Sequence, residues 1–90
     1  MARLSDAEAR ARLAHLRGWQ IEGDRLRKRY ELESFAAAIA FVNRVAGMAE
    51  AADHHPDILV EYRNVTLTLT THDSGGLTVR DFALAQRIDE

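Results

Sequence analysis

The chain has no cysteine among its 90 residues. Disulfides, thiolate catalysis and sulfur-ligated zinc are therefore excluded, and any metal would have to use histidine and carboxylate. Proline occurs once, at Pro56, and glycine five times, which leaves no linker, repeat or low-complexity segment. Neither sign of charge dominates. With 12 Lys and Arg against 14 Asp and Glu, the formal net charge is -2 and the pI is near 6.1. A general nucleic-acid binder or membrane-surface binder needs a large basic excess, so neither is expected. The one basic cluster, Arg25, Arg27, Lys28 and Arg29, is balanced elsewhere. The start, Met-Ala-Arg-Leu-Ser-Asp, lacks the apolar core of a signal peptide, and no stretch reads as a transmembrane segment. The expected location is cytoplasmic. What remains, 47% hydrophobic and 29% charged residues, is the composition of an ordered globular protein. Residues 1–90 make one domain, small enough that association with further copies would add needed stability.

Ser5 followed by Glu8 is a capping-box pattern and predicts a helix over 6–16, stopped by Gly18. His15 lies on it as a surface residue. Two partly alternating runs, 19–22 and 26–32, flank the turn residues Gly23-Asp24 and predict a hairpin. Trp19, Ile21, Tyr30 and Leu32 would face the core, with the arginines and Lys28 on a wet strand edge. Ser34 caps a long helix over 35–52. Its Phe35, Ile39, Phe41, Val42, Val45 and Met48 cover an arc wider than one neighbour requires. That arc is either buried against its own sheet or shared with a second subunit, with Val45 and Met48 as interface candidates.

Ile58, Val60 and Tyr62 alternate with Leu59, Glu61 and Arg63 in a third strand, and Arg63-Asn64 suits a tight turn. In the fourth strand Val65, Leu67 and Leu69 form one face, and Thr66, Thr68, Thr70 and His72 the other. The threonine face is expected to meet solvent. Asp73-Ser74-Gly75-Gly76 ends the strand. Thr78 with Asp81 forms a second capping pattern, and Leu77 with Phe82 a hydrophobic staple, so a third helix starts here, with Asp81 read as a cap. The predicted fold is α+β: a four-stranded antiparallel sheet with three helices on one face, in the order α-β-β-α-β-β-α.

The stretch Glu50-Ala-Ala-Asp-His-His-Pro56 places His54 and His55 where the long helix must end, because Pro56 cannot continue it. His72 stands at the end of the fourth strand. Three imidazoles near one pocket would supply proton donors and acceptors at neutral pH, since each titrates near pH ~6.5 when unperturbed. The competing use is a metal site, with Asp53, Asp57 or Asp73 joining the histidines. Adjacent histidines suit one metal poorly, because helical ligands normally stand four residues apart.

Glu50, His54-His55-Pro56, Tyr62, His72 and Asp81, at these intervals, resemble the signature of the pterin-4a-carbinolamine dehydratase family, and the resemblance covers nearly the whole chain. Thr-Leu-Thr-Leu-Thr-Thr-His before a glycine-containing loop is similar to the family's fourth strand. The resemblance implies dehydration of a 4a-hydroxytetrahydropterin, the 4a-carbinolamine, to quinonoid dihydropterin, with neither metal nor cofactor. It implies His54 and His72 as general acids or bases and His55 as a substrate holder that can join the proton transfer. Pro56, Thr71, Asp73 and Ser74 would hold the pterin. It further implies a homodimer or homotetramer, and a functional link to an aromatic amino acid hydroxylase whose tetrahydrobiopterin it would recycle. The alternative on the same fold is a non-catalytic pterin-binding or transcription-factor dimerisation module.

Overall fold

The computed structural model describes residues 2–90; Met1, the first residue of the expected domain, lies outside them. The elements are α1 (Asp6–Leu13), β1 (Gln20–Glu22), β2 (Arg25–Glu31), α2 (Phe35–Ala52), β3 (Asp57–Glu61), β4 (Asn64–Leu69) and α3 (Val79–Ile88), with a short 3-10 turn, His72–Ser74, between β4 and α3. All strand pairs are antiparallel, in the order β1-β2-β4-β3. The expected α+β order is the one observed.

Alternation decides which side of the sheet is covered. Leu26 of β2 and Val65, Leu67 and Leu69 of β4 are fully buried. They form one cluster with Ala38, Phe41 and Val45 of α2 and with Phe82, Leu84, Ala85 and Ile88 of α3. Each large side chain in that cluster contributes roughly 1.5–3 kcal/mol by leaving water. Ser5 and Glu8 form the predicted capping box, and Ser34 accepts the Ala37 N–H at the start of α2. Helix α1 stops at Leu13, earlier than expected, and Gly18 at φ 77 turns the chain toward Trp19.

Several expectations need correction. First, β2 lies inside the sheet, so Lys28 is not on a strand edge. Alternation sends it to the helix side, where its ammonium meets the Asp89 carboxylate at 3.0 Å and the Arg17 carbonyl at 2.8 Å. Asp89 also accepts from Trp19 Nε1 at 2.8 Å and from the Tyr30 hydroxyl at 2.6 Å, so one carboxylate ties the end of α3 to the hairpin. Burial and this carboxylate push the Tyr30 hydroxyl pKa well above the usual tyrosine range. Second, the outer face of β4 is not simply wet. Thr66 is buried, because Arg29 and Leu59 flank it on the two neighbouring strands.

Third, Glu61 pairs with Asn64, so the β3–β4 loop is Tyr62-Arg63, and the positive φ falls on Tyr62 (54°) rather than on Asn64. Fourth, Val45 is fully buried in the chain's own core, which removes it as an interface candidate. The outward side of α2 carries small residues instead, Ala36, Ala40 and Gly47 among them. By length and composition α2 could cross a membrane, contrary to the sequence reading, although Ala38, Phe41, Val45 and Ala49 tie it to the core.

Candidate active site

The histidine pair is placed by the way α2 ends, which is not the way expected. The helix stops at Ala52, before Pro56 could act, because Asp53 takes the left-handed conformation (φ 50, ψ 43). The Asp53 N–H bonds to the Glu50 carbonyl at 3.2 Å and the His54 N–H to the Ala49 carbonyl at 3.1 Å. This is the Schellman arrangement, with aspartate in the place glycine usually takes. Arg80 secures the same end by donating to the Asp53 carbonyl at 2.5 Å. The reversal sends the two neighbouring histidines opposite ways: His54 turns inward and is 7% exposed, whereas His55 stays outside beside the Glu50 carboxylate, which its Nε2 meets.

His54 Nε2 lies 2.5 Å from Oδ1 of Asp81, the third residue of α3. Asp81 is wholly buried, and its other oxygen accepts from the Thr71 hydroxyl at 2.8 Å and from the Thr78 N–H at 2.9 Å. The Thr71 and Thr78 hydroxyls meet at 2.8 Å. Asp81 therefore does more than cap. It closes the first turn of α3 with one oxygen and holds an imidazole with the other. A carboxylate at Nε2 fixes the ring's orientation and leaves Nδ1 as its other nitrogen.

The register explains why these residues meet. Asp57 pairs with Thr68, so the chain just before β3 runs beside the chain just after β4. His54, His55 and Pro56 on one arm, and Thr71 and His72 on the other, thus reach the same end of the sheet. His72 opens the 3-10 turn and is exposed, as is Asp73; Ser74 and Pro56 are partly buried. Gly75 takes a positive φ of 72° and closes the turn. Thr71 is displaced from the role expected of it. Its hydroxyl is buried and bound to Asp81, behind His54, where it cannot reach a ligand in the open.

The arrangement joins one buried, carboxylate-held imidazole with two exposed imidazoles at one end of the sheet. It can deliver and remove protons. A cleft of about 460 Å³ between the end of α2 and α3 is lined by His54, Arg80, Leu84 and Arg87, among others, but not by His55 or His72. Among the described residues, no group of three or more histidines and carboxylates is gathered to hold a metal ion. Sequence reasoning missed the link from Thr71 to Asp81. The signal was present: Thr71 continues the odd-numbered row of Val65, Leu67 and Leu69, the row that points inward.

Comparison with known proteins gives consistent results. Residues 2–90 match the family model described as Pterin 4 alpha carbinolamine dehydratase. A protein of Roseiflexus sp. (strain RS-1), named "Putative pterin-4-alpha-carbinolamine dehydratase", is 60% identical over 88 residues, which are 98% of this chain and 95% of that one. One of the same name from Chloroflexus aurantiacus is 54% identical over 90 residues, 100% of this chain and 97% of that one. Among solved structures, the transcriptional coactivator/pterin dehydratase from Brucella melitensis superposes with a TM-score of 0.91 at 32% identity, covering 97% of this chain and 95% of that one. A pterin dehydratase-like protein described as a RuBisCO assembly factor in the alpha-carboxysome gives 0.66 at 29%, covering 79% and 82%.

Proposed function

Because the chain belongs to the pterin-4-alpha-carbinolamine dehydratase family, we propose that it removes water from a 4a-hydroxytetrahydropterin to give quinonoid dihydropterin. The C4a–O bond breaks, the hydroxyl leaves as water after taking up a proton, and the N5 proton is lost as the C=N bond forms. Nothing is oxidised or reduced, so the reaction needs proton transfer and positioning alone. The observation that carries the reading is the buried His54–Asp81 contact, backed by Thr71 and Thr78. An imidazole held in one orientation by a carboxylate is the apparatus of general acid–base catalysis, worth roughly 10²–10⁴ in rate.

In this reading His54 and His72 serve the leaving hydroxyl and the N5 proton. Asp81 balances the charge on His54 while the ring holds a second proton. His55, kept in place by Glu50, holds the substrate, with Pro56, Asp73 and Ser74 at its polar edge. Thr71 acts through Asp81. The enzyme would work as a homodimer or homotetramer in the cytoplasm, recycling tetrahydrobiopterin for an aromatic amino acid hydroxylase. The test is turnover of His54→Ala, His55→Ala and His72→Ala on a freshly generated carbinolamine, with circular dichroism to monitor the fold. Loss of turnover in folded variants supports the assignment; full turnover in all three refutes it.

A non-catalytic reading has one observation in its favour. The Brucella relative is described as a transcriptional coactivator as well as a pterin dehydratase. A protein that binds pterin without accelerating dehydration would have a binding or dimerisation role.

A further inference from the structure

Helix α1 and the β1–β2 hairpin enclose a cleft of about 510 Å³ that none of the histidines lines. Its floor is apolar. Trp19 and Leu77 are buried there, with Leu13 and Ile21 partly buried beside them. Trp19 gives its one N–H to Asp89 at 2.8 Å, so the ring has only apolar surface to offer the cleft. Four charged groups stand at the rim, and their charges balance: Arg3 and Arg10 against Asp6 and Asp24. An apolar floor with a few placed polar groups is the make-up of a small-molecule pocket.

These rim groups have almost no other use. Arg3, Asp6 and Arg10 form no ion pair with any described residue. Asp24 has one, a loose and exposed contact with Arg25 at 3.9 Å, and exposed pairs of that kind contribute little. Asp6 and Arg10 are the more telling case. They stand one turn apart on α1, in the order that favours a salt bridge, and remain unpaired. The rim is also held in place. The Asp24 carbonyl accepts from the Thr70 hydroxyl at 2.8 Å, and the Leu4 N–H donates to the Leu77 carbonyl at 2.8 Å. Gly76 is buried, and a Cβ there would lie 2.5 Å from the Arg3 Nε, so glycine is what lets the arginine lie across the backbone at this point.

Charge decides the occupant. A simple anion would meet two carboxylates, a simple cation would meet two guanidiniums, and a neutral apolar molecule would leave all four groups unanswered. A zwitterion with an apolar body answers every part of the cleft. We propose that this cleft binds a free α-amino acid with a large apolar side chain. Arg3 and Arg10 take its carboxylate, Asp6 and Asp24 its ammonium group, and Trp19 and Leu77 its side chain. Neither the site nor its ligand depends on the dehydratase reading.

The probe is L-leucine, titrated into the wild-type protein and followed by calorimetry and by the emission of Trp19, the only tryptophan. Saturable binding is expected by both readouts. Two analogues test the charge argument: 4-methylpentanoate is leucine without its amino group, and 3-methylbutylamine is leucine without its carboxylate. Each binds at least about tenfold more weakly, the worth of a charge-assisted hydrogen bond. Arg10→Gln and Asp24→Asn alter exposed side chains and keep the native circular dichroism; each weakens leucine by at least about tenfold for the same reason. Absence of both heat and emission change with leucine overturns the proposal. Either analogue binding as tightly as leucine also overturns it, by making the cleft a plain anion or cation site. Unaltered leucine affinity in both variants overturns it as well, by placing the amino acid elsewhere.

Discussion

Replacing Asp81 with asparagine keeps the shape of the buried carboxylate and changes only what its atoms can donate and accept. In the native chain Oδ2 accepts from Thr71 and Thr78, and Oδ1 faces His54 Nε2. An asparagine oxygen can satisfy one of these sides but not both. If it keeps the Thr78 N–H, its amide group points at His54 and forces Nε2 to accept, so that the ring proton moves to Nδ1. If it keeps His54, two N–H donors face each other in a fully buried place, and an unsatisfied buried donor costs about 1–3 kcal/mol. The first arrangement is cheaper, so the expected result is a modest loss of stability with a large loss of function. For a domain of this size each kcal/mol lowers Tm by about 4–8 °C. Turnover falls by roughly 10²–10⁴, the worth of a positioned proton carrier. The tautomer can be read directly from the ring nitrogens of His54 by NMR, and the loss from stopped-flow dehydration. An Asp81→Asn protein that keeps the native tautomer and dehydrates the carbinolamine within twofold of wild type refutes the reasoning.

Val45→Asp puts a carboxylate at a fully buried position, and burying an unpaired charge costs more than a small domain can spare. The variant loses its helical circular dichroism; a folded protein that merely splits into smaller assemblies contradicts the placement of Val45 in the core. Asp89→Ala removes the acceptor shared by Trp19, Lys28 and Tyr30. It lowers stability by about 1–3 kcal/mol and alters Trp19 fluorescence in the folded protein; unchanged urea midpoint and emission contradict the role of the carboxylate. Because the folded state holds the Tyr30 proton more tightly than the unfolded state does, this contribution to stability is complete below the unfolded pKa of about 10 and is lost as pH rises from there. Tyr30→Phe therefore flattens the alkaline limb of the Tm profile relative to wild type, and parallel limbs refute the linkage.

The sequence made the fold legible wherever one local rule acted alone. Ser5 with Glu8 and Thr78 with Asp81 cap helices as their spacing says, and the row Val65, Leu67, Leu69 points inward as strict alternation requires. The readings that failed depended on neighbours distant in sequence. Lys28 could be taken for an edge residue only until β4 was known to flank β2 on its other side. Pro56 is the conspicuous helix breaker after α2, while the left-handed Asp53 that ends the helix carries no such mark. Asp81 was visible as a cap from local spacing. Its bond to His54, 27 residues away, appears only once α3 and the end of α2 are docked. The three histidines were found because the turns that hold them are written in the sequence. That His54 is buried and His55 exposed follows from the backbone reversal at Asp53, which composition does not reveal.

The most direct test of the central claim is stopped-flow absorbance on a freshly generated 4a-hydroxytetrahydropterin, with and without the wild-type protein, repeated after exhaustive treatment with a chelator. The account predicts that the protein accelerates formation of the quinonoid dihydropterin and that the chelator leaves the rate unchanged. Dehydration no faster than in buffer, at protein concentrations where pterin binding is saturated, would contradict it.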